Sequence, residues 1–229
     1  MTHVITSDTH LGCRYFDPAR LTAFLAALPP GAELIIAGDV VDRSTAQLKG
    51  AHRAALDALI ALSKERHVVW VRGNHDRHID VTDLGDIELV ETYAIGKRVL
   101  IAHGHHFDTI MPTHRWFIHL VRAVQALRIL LGADAVHVAR YAKRFPTLYG
   151  ILRDHVARNA IEHAREHGFE AIVCGHTHHA ETREADGIHY VNTGAWTEDT
   201  PHYVMANDET MTLHEVPPFP VSPGEDQPQ

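Results

Sequence analysis

Five short stretches of this chain carry the side chains that could do chemistry: Asp8-Thr9-His10, Gly38-Asp39-Val40-Val41-Asp42, Gly73-Asn74-His75-Asp76, His103-Gly104-His105 and Gly175-His176-Thr177-His178. Carboxylate, imidazole and amide oxygen recur in them. These donors suit borderline divalent cations such as Mn, Fe or Zn better than Ca or Mg. Asn74 offers a neutral oxygen to a metal or a phosphate, and His75 beside it can give or take a proton near neutral pH. A carboxylate has lone pairs enough for two cations at once, which an imidazole does not. Taken singly each stretch also reads as an ordinary turn, Gly-Asn above all. Taken together, such a cluster would be costly to bury without cations.

The elements that must position these residues are legible as apolar, β-rich runs. They cover about His3 to Ser7, Glu33 to Ala37, His67 to Val71, Arg98 to Ala102 and Ala171 to Cys174, and each ends in one of the five stretches. The carboxyl ends of strands are where open α/β sheets place their sites. Alternation along an extended segment puts Asp8 and His10 on one side, within reach of one ion. Between the strands, Pro18 to Leu28 reads as a helix with Leu21, Phe24, Leu25 and Leu28 on one face, stopped by Pro29-Pro30-Gly31. A second helix is expected from about Thr45 to Glu65, with Leu48, Leu56, Leu59, Ile60 and Leu62 facing the core. Further short strands are expected over Ile87 to Val90, Ile188 to Val191, His202 to Ala206 and Thr210 to Val216, with Asn192-Thr193-Gly194-Ala195-Trp196 as a turn.

Residues 112–167 break this rhythm with long helical patterns interrupted near Gly132 and Pro146. The stretch Trp116 to Leu131 is strongly apolar with Arg122 and Arg128 interspersed. Such a helix can be ordinary core, or can meet a lipid surface or a greasy ligand. Lying between two motif strands, it is a candidate cap. The tail from Pro217 to Gln229 is rich in Pro, Gly and acid and is expected to be disordered. The unit read as one domain is therefore 1–216.

Composition narrows the classes. The formal charge of −8 argues against non-specific nucleic-acid binding, which favours a basic stripe. The 21 histidines are a compositional hint of metal binding, although a His-rich surface without ligands explains most of them. No run approaches the ~18–20 apolar residues of a membrane span. No charged segment followed by an apolar one precedes the first strand, so no secretory signal is expected. Cys13 and Cys174 are too few for a disulfide framework, which points to a reducing compartment and a cytoplasmic location.

The ordered set of five stretches resembles the calcineurin-like metallophosphoesterase superfamily over roughly Asp8 to His178, with 112–167 as a variable insertion. The resemblance implies a four-layer α-β-β-α sandwich of two mixed sheets, and two divalent metal ions, Mn first with Fe or Zn as alternatives. On the matching positions Asp8, His10 and His178 hold one ion, Asn74, His103 and His176 the other, and Asp39 bridges. Two such cations lower the pKa of a shared water and clamp phosphoryl oxygens. His75, pointing away from the metals if Asn74 points in, is expected to protonate the leaving oxygen. Asp76 is placed to orient that imidazole. Asp42 reads as a supporting residue, and His105, His106 and His179 as solvated loop.

Within the superfamily the chain is similar to the bacterial UDP-2,3-diacylglucosamine pyrophosphatases. The likeness rests on His103-Gly104 followed by Asp108, on the helical insertion, and on Gly194-Ala195-Trp196-Thr197-Glu198. Well-known members of that group carry Arg where this chain has His75. Three readings stay open: hydrolysis of a nucleotide–lipid diphosphate under the cap, hydrolysis of a soluble phosphoester, and a non-catalytic scaffold on the same fold. The last predicts eroded ligands, and here every position is filled. The partner expected is a small-molecule or lipid-linked phosphoester, with peripheral membrane contact through the cap and no nucleic acid.

Overall fold

Alternating apolar side chains give the strands two buried faces each, and the chain covers both. A computed structural model describes residues 1–43, 45–76, 79, 84–113, 123–124, 127–128, 130 and 138–219. The first sheet contains β1 (His3–Thr6), β2 (Glu33–Ala37), β3 (Val68–Val71), β4 (Glu88–Val90), β10 (His202–Ala206) and β11 (Met211–Glu215). Its order is β11-β10-β1-β2-β3-β4, parallel from β1 to β4 and antiparallel at β10 and β11. The second contains β5 (Thr92–Ile95), β6 (Val99–Ala102), β7 (Ala171–Cys174), β8 (Ala180–Ala185) and β9 (Ile188–Thr193), in the order β5-β6-β7-β9-β8. There β6, β7 and β9 run parallel, with β5 and β8 antiparallel at the edges.

Ile5, Ile35, Val69 and Val71 from the first sheet meet Val99, Ile101, Val173 and Val191 from the second in one dry layer. The intervening residues Val4, Leu34, Ile36, Val68 and Trp70 face outward under α1 (Pro18–Ala26) and α2 (Gly50–Ser63). On the far side α3 (Pro146–Glu166) covers Leu100, Ile172, Cys174 and Tyr190 through Ala157, Ala160, Ile161 and Ala164. The layers are thus α-β-β-α, with both sheets mixed. Asp17 caps α1 by accepting from the Ala19 and Arg20 N–H groups, and Pro18 sits at the first helical position, where its missing donor costs nothing.

Several boundaries differ from expectation. The segment from Thr45 divides into a 3-10 turn (Thr45–Gln47) and α2, and Ile60 and Leu62 are only half-buried. Strand β9 runs on through Asn192 and Thr193, which the residue types alone place in a turn. Strands β5 and β8 have no counterpart among the expected elements. Both are edge strands; β8 carries polar side chains on both faces, and β5 is only four residues long, with Tyr93 and Ile95 alone turned to the core. Between β6 and β7 short helices cover Ile110–Thr113 and Val138–Ala142. Most of the apolar stretch Trp116 to Leu131, the break near Gly132, and residues 220–229 of the tail lie outside the described residues. No helix among the described residues is long and apolar enough to cross a membrane.

Candidate metal centre

The loops that leave β1 and β2 run side by side. The Asp8 N–H donates to the Gly38 carbonyl at 2.9 Å, His10 N–H to Asp39 at 3.0 Å and Leu11 N–H to Val40 at 2.8 Å. This lattice forces unusual backbone. Asp8, His10, Asp39, His176 and His178 all take left-handed φ, between +49° and +67°. Asp and His are among the non-glycine residues that tolerate this region, yet each costs about 1–2 kcal/mol there. Strain at five positions is comparable to a domain's whole net stability of about 5–15 kcal/mol, so it persists only because the surroundings over-determine it.

The two carboxylates work alike. Asp8 Oδ2 accepts the backbone N–H of His176 at 3.0 Å, and Asp39 Oδ1 accepts the backbone N–H of His75 at 2.8 Å. Each therefore ties down a neighbouring ligand loop with one oxygen and turns the other inward. Asp8 Oδ1 lies 3.2 Å from His178 Nε2 and 3.7 Å from His10 Nε2. Asp39 Oδ2 lies 3.3 Å from His103 Nε2. Asn74 Oδ1 completes the second group, 3.3 Å from His103 Nε2 and 3.1 Å from His176 Nδ1. Such close approach requires glycine. A Cβ on Gly73 would overlap Asp39 Oδ1 and its backbone nitrogen, and one on Gly175 would overlap Asp8 Oδ2 and Ser7 Oγ.

The donor set fits divalent cations. Ligand atoms of Asp8, His10 and His178, and of Asp8, Asp39 and His103, each fall within 4.8 Å of one another. The buried Asp8 Oδ1 has no hydrogen-bond donor among the described residues. His103 donates Nδ1–H to the Ala37 carbonyl at 2.8 Å, which turns Nε2 toward Asp39 and Asn74. The centre also demands positive charge. Burial opposes the His10 imidazolium, but Asp42, Asp8 and Asp39 lift its pKa to about 10. Burial likewise opposes protonation of His103, which Asp39 and Asp8 push up to about 9. Burial also works against the Asp8 and Asp39 carboxylates, yet the surrounding histidines hold both below the ordinary range. His178 moves the other way, its pKa lowered by burial and by His10. A divalent cation supplies the missing charge without protons.

Two expectations are corrected. Asp76 does not orient His75. It is fully buried, and its oxygens accept from Trp70 Nε1 at 3.0 Å and from the backbone N–H groups of Gly73, Val41 and Val40 at 2.9, 3.2 and 3.4 Å. It pins the β2 and β3 loops together. Nor does His75 turn away from the cluster. Its ring meets His10 edge-on at 5.0 Å, and Nε2 lies 3.9 Å from Asp39 Oδ2. The partner of its Nδ1 is the Asp42 carbonyl at 2.7 Å.

Sequence reasoning missed two supporting residues. Asp108 Oδ2 lies 3.0 Å from His176 Nε2, while Oδ1 accepts the Ile110 and Met111 N–H groups. The carboxylate fixes which histidine nitrogen faces the centre. Its nearness to His103 in sequence marked it as a family feature but carried no role. Asn192 Nδ2 donates to the Gly175 carbonyl at 2.6 Å and to Thr177 Oγ1 at 3.1 Å, holding the last ligand loop from below. Beside Asn74 a cavity of about 290 Å³ opens between Arg72, Gly73, Glu91, His105 and His106.

The calcineurin-like phosphoesterase family model matches residues 1–180. Among solved structures, Yfce, a phosphoesterase from E. coli, is 16% identical with a TM-score of 0.50, covering 94% of this chain and 93% of its own. A single mutant of Vps29 from Entamoeba histolytica is 19% identical with a TM-score of 0.50, covering 94% and 91%. An archaeal phosphodiesterase is 14% identical with a TM-score of 0.50, covering 94% and 99%. These likenesses are of fold. No curated protein matches the chain by sequence.

Proposed function

The chain belongs to the calcineurin-like phosphoesterase family, and from that premise we propose that it is a metal-dependent hydrolase of a phosphoester or pyrophosphate bond. The observation that carries the reading is the convergence of seven metal-capable side chains from five strand ends upon one largely buried, charge-demanding centre. Asp8, His10 and His178 would hold one cation and Asn74, His103 and His176 the other, with Asp39 between them; Mn, Fe and Zn all suit these donors. When bound, two such cations would acidify a water and stabilise charge on the phosphoryl oxygens.

The chain's own groups do the rest. Asp8 and Asp39 hold the ligand loops through backbone hydrogen bonds, so the donors are preorganised. His75 commits Nδ1–H to the Asp42 carbonyl, which leaves Nε2, protonated in the imidazolium form, as the nitrogen that gives a proton to the leaving oxygen and returns the ring to its neutral form. Its side chain is 35% exposed, open to a substrate. Metal-depleted protein is expected to be inactive toward an aryl phosphodiester or monoester such as bis(p-nitrophenyl) phosphate, with Mn²⁺ restoring turnover. A protein that binds no divalent cation would refute the reading and leave the scaffold alternative.

For the substrate, we propose a nucleotide–lipid diphosphate of the UDP-2,3-diacylglucosamine kind, bound under the segment 112–167 as a cap. Apart from Met1, every exposed large hydrophobic residue among those described lies there: Val124, Leu127, Leu130, Phe145, Leu148 and Ile151, with Leu130 82% exposed. Apolar side chains concentrated in this way mark a contact with lipid or another apolar partner. The same residues, interspersed with Arg128, Arg140 and Arg144, support a cytoplasmic protein resting peripherally on the inner face of a membrane. Incubation with UDP-2,3-diacylglucosamine is expected to release UMP and the lipid monophosphate. Rapid turnover of a soluble ester without that activity would instead make the segment ordinary packing around a soluble-substrate site.

A further inference from the structure

The last ligand loop, Gly175 to His178, is strained at His176 and His178 and is held from two sides. From the sheet, Asp8 Oδ2 accepts the His176 N–H and Asn192 donates to the Gly175 carbonyl. The carbonyls of Thr177 and His178 point the other way, toward the helical segment 138–166. There Lys143 Nζ donates to the His178 carbonyl at 2.6 Å, and the Tyr149 hydroxyl donates to the Thr177 carbonyl. Arg153 adds a third contact, 2.9 Å from Nε2 of His179.

These donors are themselves fixed. Lys143 pairs with Glu198 Oε1 at 2.9 Å and its ammonium lies 5.9 Å from the Tyr149 ring centre. Arg140 pairs with Asp199 one position on. Glu198 follows Trp196, whose indole Nε1 donates to Thr6 at the end of β1. The segment is thus anchored to the sheet that carries Asp8 while gripping the loop that carries His176 and His178. Burial raises the Tyr149 phenol well above its ordinary pKa, which keeps the hydroxyl a donor.

We propose that Lys143 and Tyr149 are positioning residues for the ligand loop, so that the helical segment 138–166 is a working part of the metal centre and not a separable cover. The proposal rests on the reading of His176 and His178 as ligands. It predicts that loss of either donor weakens metal binding before it weakens the fold, because the sheet side of the loop stays intact. Groups that orient metal ligands typically contribute 10–100-fold in affinity.

The test uses metal-depleted full-length protein titrated with Mn²⁺, free Mn²⁺ being read by electron paramagnetic resonance. Lys143→Met and Tyr149→Phe are each expected to weaken one of two Mn²⁺ sites by about 10–100-fold while the metal-depleted proteins melt with the wild type. Arg140→Ala, which cuts only the surface pair with Asp199, is expected to bind as wild type. Wild-type affinity at both sites in Lys143→Met and Tyr149→Phe would overturn the proposal. So would equal weakening in Arg140→Ala, or a fall in melting temperature matching the loss of affinity. If the wild type itself binds no Mn²⁺, it is the metallohydrolase reading that has failed.

Discussion

Replacing Asp76 with Ala separates two roles that the sequence alone leaves indistinguishable, because the motif places this carboxylate one position after His75. In the structure it serves four donors, of which Trp70 Nε1 at 3.0 Å and Gly73 N–H at 2.9 Å are best placed. A buried donor stripped of its acceptor costs about 1–3 kcal/mol. Against this stands the cost of the carboxylate itself, whose pKa burial and the nearby Asp39 charge push upward. Two bare donors therefore set the scale at about 2–5 kcal/mol lost. In a chain of this size each kcal/mol moves Tm by about 2–4 °C, so a fall of roughly 4–20 °C is expected. Differential scanning calorimetry on the metal-depleted protein measures it, and turnover per bound metal pair measures what remains of the chemistry. An unchanged Tm together with a kcat reduced a hundredfold or more would refute the structural assignment and restore Asp76 as the group that orients His75.

His75→Ala is expected to keep both metals and to lose about 10²–10⁴-fold in kcat, the usual contribution of a positioned acid. Because His75, His10 and Asp39 also form a group with metal-ligand spacing, loss of metal content in that variant would make His75 a ligand instead. The pH dependence follows from His10 and His103, raised from 6.5 to about 10 and about 9 in the folded protein. Their contribution to the metal-depleted protein is complete below pH 6.5 and is lost as pH rises through 9 to 10. Metal binding must displace those protons and so strengthens with pH. The Tm difference between Mn²⁺-loaded and metal-depleted protein is expected to widen from pH 6.5 to 9; a constant difference would show that neither histidine exchanges its proton for the cation.

The candidate ligand positions are legible in the sequence because their signal is local. A short apolar run becomes a strand, and the residues just past its end gather at the rim of the sheet. Asp8, Asp39, Asn74, His103 and His176 lie where that rule places them. The bounds of β1, β2 and β7 follow from the same runs. The edge strands β5 and β8 escape because β8 carries polar side chains on both faces and β5 is too short, with two inward residues, to stand out as an apolar run.

Partner choice is what only the tertiary structure decided. Asp76 and His75 are adjacent in sequence, yet their side chains diverge: His75 finds the Asp42 carbonyl on the β2 loop, while Asp76 accepts from Trp70 and Gly73 of its own stretch and from Val40 and Val41 of the β2 loop. His75 reaches the Asp42 carbonyl 33 positions away, His176 reaches Asp108 across 68, and Lys143 reaches the His178 carbonyl across 35. None of these separations follows from a local rule. The sequence determines which donors are available and that they gather at one rim; the packing of two sheets and the helical segment determines which oxygen faces which nitrogen, and so which residues bind and which merely hold. The physical reason is that residue type and strand ending are properties of a few consecutive positions, whereas hydrogen-bond pairing at a shared rim depends on the relative placement of loops that the chain joins only through whole layers.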